Sequence, residues 1–205
     1  MSNYLLFVVT GPSGAGKTTL IKHLIEHHPD LQFSVSFTTR PARKNEADGK
    51  DYWFVSEEVF FEKVKSKDLL EYAYVHGYYY GTSKEYVETQ LKHSNILLDI
   101  DVQGALSVKK VIPDSVVCFV APPGYEELKN RLIKRATESE QDLKKRLNDA
   151  LDELKTIGHF DYLVINRERE TASKELMAIY TAENLRVSRQ HDQIHVYKNI
   201  HKGGL

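Results

Sequence analysis

The chain has 205 residues, 41% of them hydrophobic and 28% charged, with a net charge of −1 at neutral pH. That length and balance describe an ordinary globular protein, one α/β domain with insertions or two small domains, and they exclude any global pull towards nucleic acid or a membrane surface. The single cysteine, Cys118, excludes an internal disulfide and fits a reducing compartment. Without a signal-peptide pattern or an apolar run of membrane-spanning length, the expected location is the cytoplasm.

In chain order, the apolar run 5–9 predicts a buried strand. It is followed by Gly11-Pro12-Ser13-Gly14-Ala15-Gly16-Lys17-Thr18, and then by an amphipathic segment carrying Leu20, Ile21, Leu24 and Ile25. Strand, glycine-rich loop and helix form the context of a phosphate-binding P-loop. Its glycines let successive N–H groups face an anion, and the helix N-terminus adds its positive end. Lys17 suits the outer phosphates, and the Thr18 hydroxyl suits the shell of a magnesium ion. ATP or GTP binding is the first expectation.

Residues 34–91 are rich in tyrosine and charge. Alternating strands at 51–55 and 69–75 and a helix near 56–65 predict a small mixed-sheet lobe. Arg40 and Arg43 flank Pro41 three residues apart, which makes either a phosphate clamp or a charged loop in solvent. Tyr52 can add a hydroxyl donor to such a clamp. Glu71 and the run His76-Gly77-Tyr78-Tyr79-Tyr80-Gly81-Thr82 point either to phenols set against a ligand or to aromatic packing.

The run 96–100 predicts a second core strand and leads into Asp99 and Asp101. Carboxylates at a strand end beside a P-loop can serve a Mg-nucleotide, and the same aspartates can cap the next helix. The run 116–120 predicts a third strand, with Cys118 buried in it. Pro122-Pro123-Gly124 breaks that strand, and 122–157 reads as wholly helical. Within it, Thr137 and Glu140 have capping-box spacing, and Leu143, Leu147, Ala150, Leu151, Leu154 and Ile157 form a core-facing stripe. A fourth strand at 162–165 and a helix over about 172–188 complete the core. His191, His195 and His201 in the tail lack metal-ligand spacing and read as solvated.

Taken together, G-P-S-G-A-G-K-T, S-V-S-x-T-T-R-x-x-R, G-K-D-Y, Y-Y-G-T and L-D-I-D-x-Q-G resemble guanylate kinase, over about residues 4–190. The ending Ser188-Arg189-Gln190 is similar to bacterial members. The resemblance implies an α/β fold: a P-loop NTPase-type parallel sheet flanked by helices, with a small mixed α/β GMP-binding lobe and a helical lid. A kinase-like domain spanning 4–185 then has core segments 1–33, 92–121 and 158–190, the GMP-binding lobe 34–91 and the lid 122–157. Residues 191–205 form a C-terminal tail.

The implied activity is ATP-dependent phosphorylation of GMP, with dGMP as a second acceptor, using Mg2+ and direct transfer. The implied partners are ATP and GMP, with no nucleic acid or membrane, and a homo-oligomer is left open. By the same resemblance, ATP is held by Gly11, Pro12, Ser13, Gly14, Ala15, Gly16, Lys17, Thr18, Thr19, Arg131 and Asn166. Ser36, Arg40, Arg43, Tyr52, Glu71, Tyr80, Thr82 and Asp101 hold GMP. The catalytic set is Lys17, Arg40, Arg135 and Arg146, and the metal lies on Thr18 and, through water, Asp99. Guanine's N1–H and 2-amino donors match a carboxylate at Glu71, whereas adenine would present an acceptor there. Two positions depart from the family pattern. Ala136 stands where glycine is common, and Arg167 follows Asn166 where aspartate is common. A non-catalytic guanylate-kinase-like interaction module is the rival reading. The retained Lys17, Thr18, Arg40, Arg43 and Asp99 argue against it.

Overall fold

The protein is described by a computed structural model covering residues 4–135, 140–190 and 194, with the side chains of 135 and 140–142 excepted. The chain opens with β1 (Leu6–Thr10) and α1 (Lys17–His27), then the short strands β2 (Gln32–Phe33), β3 (Phe37–Thr38) and β4 (Trp53–Phe54). Next come α2 (Glu57–Ser66), β5 (Leu69–Val75), β6 (Tyr78–Ser83) and α3 (Lys84–Gln90). The second half runs β7 (Ile96–Asp99), α4 (Val102–Val111), β8 (Val116–Ala121), α5 (Tyr125–Arg135), α6 (Glu140–Leu154), β9 (Tyr162–Ile165) and α7 (Arg169–Asn184).

Five strands make an all-parallel sheet in the order β2-β7-β1-β8-β9. The four expected core strands are all present, and β2 is an edge strand that the apolar pattern does not announce. Strand β1 is buried at every position, so its alternating side chains feed both faces of the sheet. Leu5, Phe7 and Val9 pack with Leu20 and Leu24 of α1 and Leu176 and Tyr180 of α7. Leu6 and Val8 pack with Ala105 and Val108 of α4 and with Leu70 of β5. Helices therefore cover both faces, as the continuous apolar strands require.

A second, mixed sheet has the order β4-β3-β6-β5, with β3–β4 parallel and the other pairs antiparallel. Of the strand expected over 51–55, only Trp53–Phe54 pairs as a strand. Helix α2 starts where expected because the Ser56 hydroxyl accepts from the Val59 N–H. Leu70 ties this sheet to the main core, so the small lobe is anchored by α4.

Helices α5 and α6 pack through Leu128, Leu132, Leu147 and Ala150, joined by Leu143. Leu154 and Ile157 reach Phe119 and Val102. The expected stripe is core except for Leu151, which is 38% exposed because it falls at the edge of the buried face. Helix α7 spans 169–184, earlier than the 172–188 expected, and a short 3-10 turn, Val187–Arg189, follows it. Thr137, Ala136 and the tail histidines lie outside the described residues. Among the described residues no helix is long and apolar enough to cross a membrane.

Candidate active site

At the carboxyl end of β1 the chain turns through the glycine-rich loop into α1. Gly11 has φ +134°, and a Cβ there would overlap the Val120 carbonyl oxygen of the neighbouring strand. Gly16 caps α1 in the left-handed region at φ 92°, and a Cβ there would overlap the Asn166 amide. Only glycine satisfies both positions. The loop is braced from outside by side chains. Asn166 Nδ2 donates to the Ala15 carbonyl at 2.8 Å, Arg131 donates to the Ala15 carbonyl at 3.3 Å and the Asn166 carbonyl at 2.9 Å, and Arg146 donates to Ser13 Oγ at 2.7 Å. Lys17 Nζ folds back onto the Gly11 carbonyl at 2.5 Å.

The loop faces a cavity of about 600 Å³. Gly11, Pro12, Ser13, Gly14, Gly16, Lys17 and Thr18 line one side, and Ser36, Arg40, Arg43, Tyr52, Glu71 and Tyr80 line the other. Asp99 and Asp101 lie between them, at the end of β7. Arg146 and Glu153 of α6 close it. Most of the sequence-predicted residues thus converge on one space. Thr19 is exposed and lies apart from that lining, and Arg131, Ala15 and Asn166 act on the back of the loop. Arg167 is exposed beside Asn166 and does not line the cavity. Arg135 closes α5, but its side chain lies outside the described residues.

The Arg40 fork is occupied by a carboxylate. The Arg40 guanidinium, nearly buried, makes a two-pronged pair with Glu46, both N–H···O distances being 2.9 Å. Glu46 also accepts from the Arg43 N–H at 2.8 Å, and the exposed Arg43 guanidinium stands 3.8 Å away. A carboxylate here occupies the fork in the geometry that a phosphate would take. Burial opposes the charge on Glu46, but the Arg40 and Arg43 donors hold its pKa below the ordinary value. The Arg40 guanidinium stacks on Tyr52 and Phe54 at 5.4 and 5.8 Å from their ring centres. Glu46 stands out in the sequence by no motif of its own. Its three-residue spacing from Arg43 is the signal that could have found it.

The tyrosine run divides by strand alternation. Tyr79 packs against Phe60, Phe61 and Tyr74, whereas Tyr80 lies edge-on to Tyr52 and faces the cavity. Burial pushes the Tyr52 hydroxyl up to about 12, so it is a neutral donor.

Glu71 is 5% exposed and lies opposite Thr82 in the β5–β6 pair. Strand alternation sets Leu70 towards the core and Glu71 towards the cavity, and a register shift between Leu69 and Glu71 brings Glu71 opposite Thr82. Its Oε1 accepts from Thr82 Oγ1 at 2.6 Å, and its Oε2 is buried with no hydrogen-bond partner. Burial, aided by Asp101, pushes the carboxyl up to about 8. Asp101 caps α4 by accepting from the Gln103 and Gly104 N–H groups at 2.8 and 3.1 Å. The capping and pocket-lining readings of this residue are therefore both met. Burial also raises Asp99, with Lys17 opposing, and pushes Glu153 up to about 7. Cys118 is buried in β8 with its thiol pushed up to about 12, so it offers no nucleophile.

Comparison with known proteins agrees with this geometry. The family model described as guanylate kinase matches residues 4–183. The chain is 46% identical to guanylate kinase of Thermotoga maritima over 199 residues, 97% of this chain and 96% of that one. It is 47% identical to guanylate kinase of Caldanaerobacter subterraneus subsp. tengcongensis, covering 92% of each chain. The crystal structure of guanylate kinase from Anaplasma phagocytophilum superposes with a TM-score of 0.77 at 31% identity, over 92% of this chain and 90% of that one. With a family model over most of its length, relatives of this identity and a shared fold, the chain belongs to the guanylate kinase family.

Proposed function

We propose that the chain transfers the γ-phosphoryl group of ATP to GMP, and to dGMP, in cytoplasmic purine nucleotide metabolism and GMP recycling. The observation that carries this reading is one cavity bordered by a P-loop, an arginine fork already holding a carboxylate, and a buried Glu71 with an unpartnered oxygen. On this reading residues 34–91 are the GMP-binding lobe and 122–157 the lid over the core.

The P-loop N–H groups and Lys17 hold the ATP phosphates, with Lys17 leaving the Gly11 carbonyl for them. Asn166 and Arg131 keep the loop in shape. Arg40, Arg43, Tyr52 and Tyr80 hold the GMP phosphate, replacing Glu46 in the Arg40 fork. Ser36 donates to O6 of guanine, and Glu71, Thr82 and Asp101 receive its N1–H and 2-amino donors. A GMP phosphate oxygen then attacks the γ-phosphorus as the bond to the bridging oxygen of ADP breaks. The attacking oxygen is already anionic, so no general base is needed. Catalysis comes from alignment and charge neutralisation by Lys17, Arg40, Arg135 and Arg146. A closed lid keeps water from the phosphoryl group.

The donor set suits magnesium. Thr18 offers a hydroxyl and Asp99 a carboxylate to the same cavity, few protein ligands of the hard oxygen type that Mg2+ accepts while keeping waters and phosphate oxygens. When bound on Thr18 and, through water, Asp99, it would offset phosphate charge.

The test is ADP formation from Mg·ATP with GMP, dGMP, AMP, CMP and UMP in turn. Turnover with GMP and dGMP far above the others is expected. Equal turnover with AMP would remove the guanine assignment, and none with any acceptor would favour an interaction module.

A further inference from the structure

Gly104 is the third residue of α4, in its first turn, where Asp101 caps its N–H. Its backbone is not in the left-handed region, so its conformation does not require glycine. Helix propensity favours almost any other residue there, alanine most of all. What requires glycine is the neighbour. A Cβ on Gly104 would overlap Glu71 Oε2 outright and lie 3.0 Å from Glu71 Cδ and 3.5 Å from Asp101 Oδ2. The carboxyl cannot easily retreat. Its other oxygen is held by Thr82, its residue is buried, and Leu70 next to it packs on Ala105 and Val108 of the same helix. The bare Cα of Gly104 is thus the wall that seats the oxygen left unpartnered at this site.

We propose that Gly104 is a positioning residue for purine selection, setting where Glu71 Oε2 stands to receive the donor edge of the acceptor base. The inference rests on the reading of Glu71 as the guanine-recognising carboxylate. Two donors on one base edge demand that both carboxylate oxygens be in place at once. A displaced carboxyl therefore loses geometry on both.

The experiment is steady-state kinetics of Gly104→Ala, alone and combined with Glu71→Asp, with Glu71→Gln alongside. Loss of a charge-assisted hydrogen bond predicts that Gly104→Ala raises KM for GMP about ten- to a hundred-fold. KM for ATP should stay within about two-fold, and the GMP-over-AMP ratio of kcat/KM should fall with the GMP effect. In Tm the gain in helix propensity and the crowding of Glu71 oppose each other, so the split between KM for GMP and KM for ATP is the diagnostic readout. Aspartate is one methylene shorter and clears the added methyl, so Gly104→Ala should cost much less in the Glu71→Asp background. An unchanged KM for GMP, equal rises for ATP and GMP, or additive effects in the double variant would each overturn the proposal. If Glu71→Gln leaves GMP use intact, the guanine assignment itself falls. If Glu71→Gln is damaging but Gly104→Ala is silent, only the role of Gly104 falls.

Discussion

At Glu71, burial and hydrogen bonding act in opposite directions on the same carboxyl. Burial raises it to about 8, so near pH 7 it is mostly protonated in the ligand-free protein. A guanine edge presents donors and favours the carboxylate, so GMP binding is expected to release up to one proton near pH 7. Calorimetry in buffers of different ionisation enthalpy measures that number, and Glu71→Gln should abolish it. The affinity for GMP should correspondingly rise with pH up to about 8. Stability has the opposite dependence. Between the ordinary carboxyl pKa and about 8 the unfolded chain has lost this proton while the folded chain keeps it, so stability falls as pH rises across that window. The slope from this one group is at most about 1.4 kcal/mol per pH unit. Glu153, raised to about 7, adds in the same sense, so the difference between wild type and Glu71→Gln in denaturant titrations isolates Glu71. At Arg40 the argument concerns a partner. Glu46→Gln removes the charge that compensates a nearly buried guanidinium, and should cost about 1–3 kcal/mol in the ligand-free protein. That corresponds to a fall of several degrees in Tm, of which GMP should restore a larger share than in the wild type, because its phosphate replaces the lost carboxylate.

Among the elements, the P-loop depends on residues distant in sequence for its shape. The Ala15 carbonyl is held by Asn166 from the end of β9 and by Arg131 from α5. Asn166→Ala leaves that carbonyl with the longer of its two bonds. KM for ATP is expected to rise about ten-fold with KM for GMP nearly unchanged, the loss of one buried hydrogen bond. What could be read in advance follows from the same distinction between local and distant causes. Strands β1, β7 and β8 are legible because both faces of each are covered, which makes their residues apolar almost without interruption, whereas β9, at the sheet edge with Leu163 and Ile165 exposed, is legible from its short apolar run alone. The P-loop is legible because a strand, a spaced set of glycines and a helix are all local. The two-residue strands β2 and β3 carry no period to recognise, β4 is only the paired part of the strand expected over 51–55, and α3 begins at a Ser83 cap that is also the last residue of β6. The register shift before Glu71 exists only because β6 lies opposite. For the site, Arg40 and Glu71 stand out as residue types, whereas Glu46 filling the fork and Gly104 seating the carboxyl are products of folding.

In the whole molecule, the cavity is bordered by the core, the small lobe and the α5–α6 pair, and α6 makes polar contacts with the other two across it. Arg146 reaches Ser13 Oγ at 2.7 Å, and Asp149 on the same helix stands 3.5 Å from His76 at the β5–β6 hairpin. Ser13, Arg146 and His76 line the cavity, so on the proposed function bound substrates would meet these groups. The Ser13 hydroxyl that Arg146 meets is a weak neutral acceptor compared with phosphate oxygens. On the proposed function, binding of both nucleotides should draw α6 and the small lobe inward, since the γ-phosphoryl and the GMP phosphate would then be the anions offered to Arg146 and to Arg40 and Arg43. The scattering radius of gyration is expected to fall with both substrates bound, using a non-hydrolysable ATP analogue, and to fall less with either alone. Superimposable profiles of free and doubly liganded protein would count against closure. In the same picture Arg146→Ala should lower kcat by about 10³-fold or more, with KM values for ATP and GMP changing only a few-fold, because the guanidinium is needed most where charge develops in transfer. An equal loss through KM would instead place Arg146 among the ground-state binding residues, and the contraction on double binding would then need no help from it.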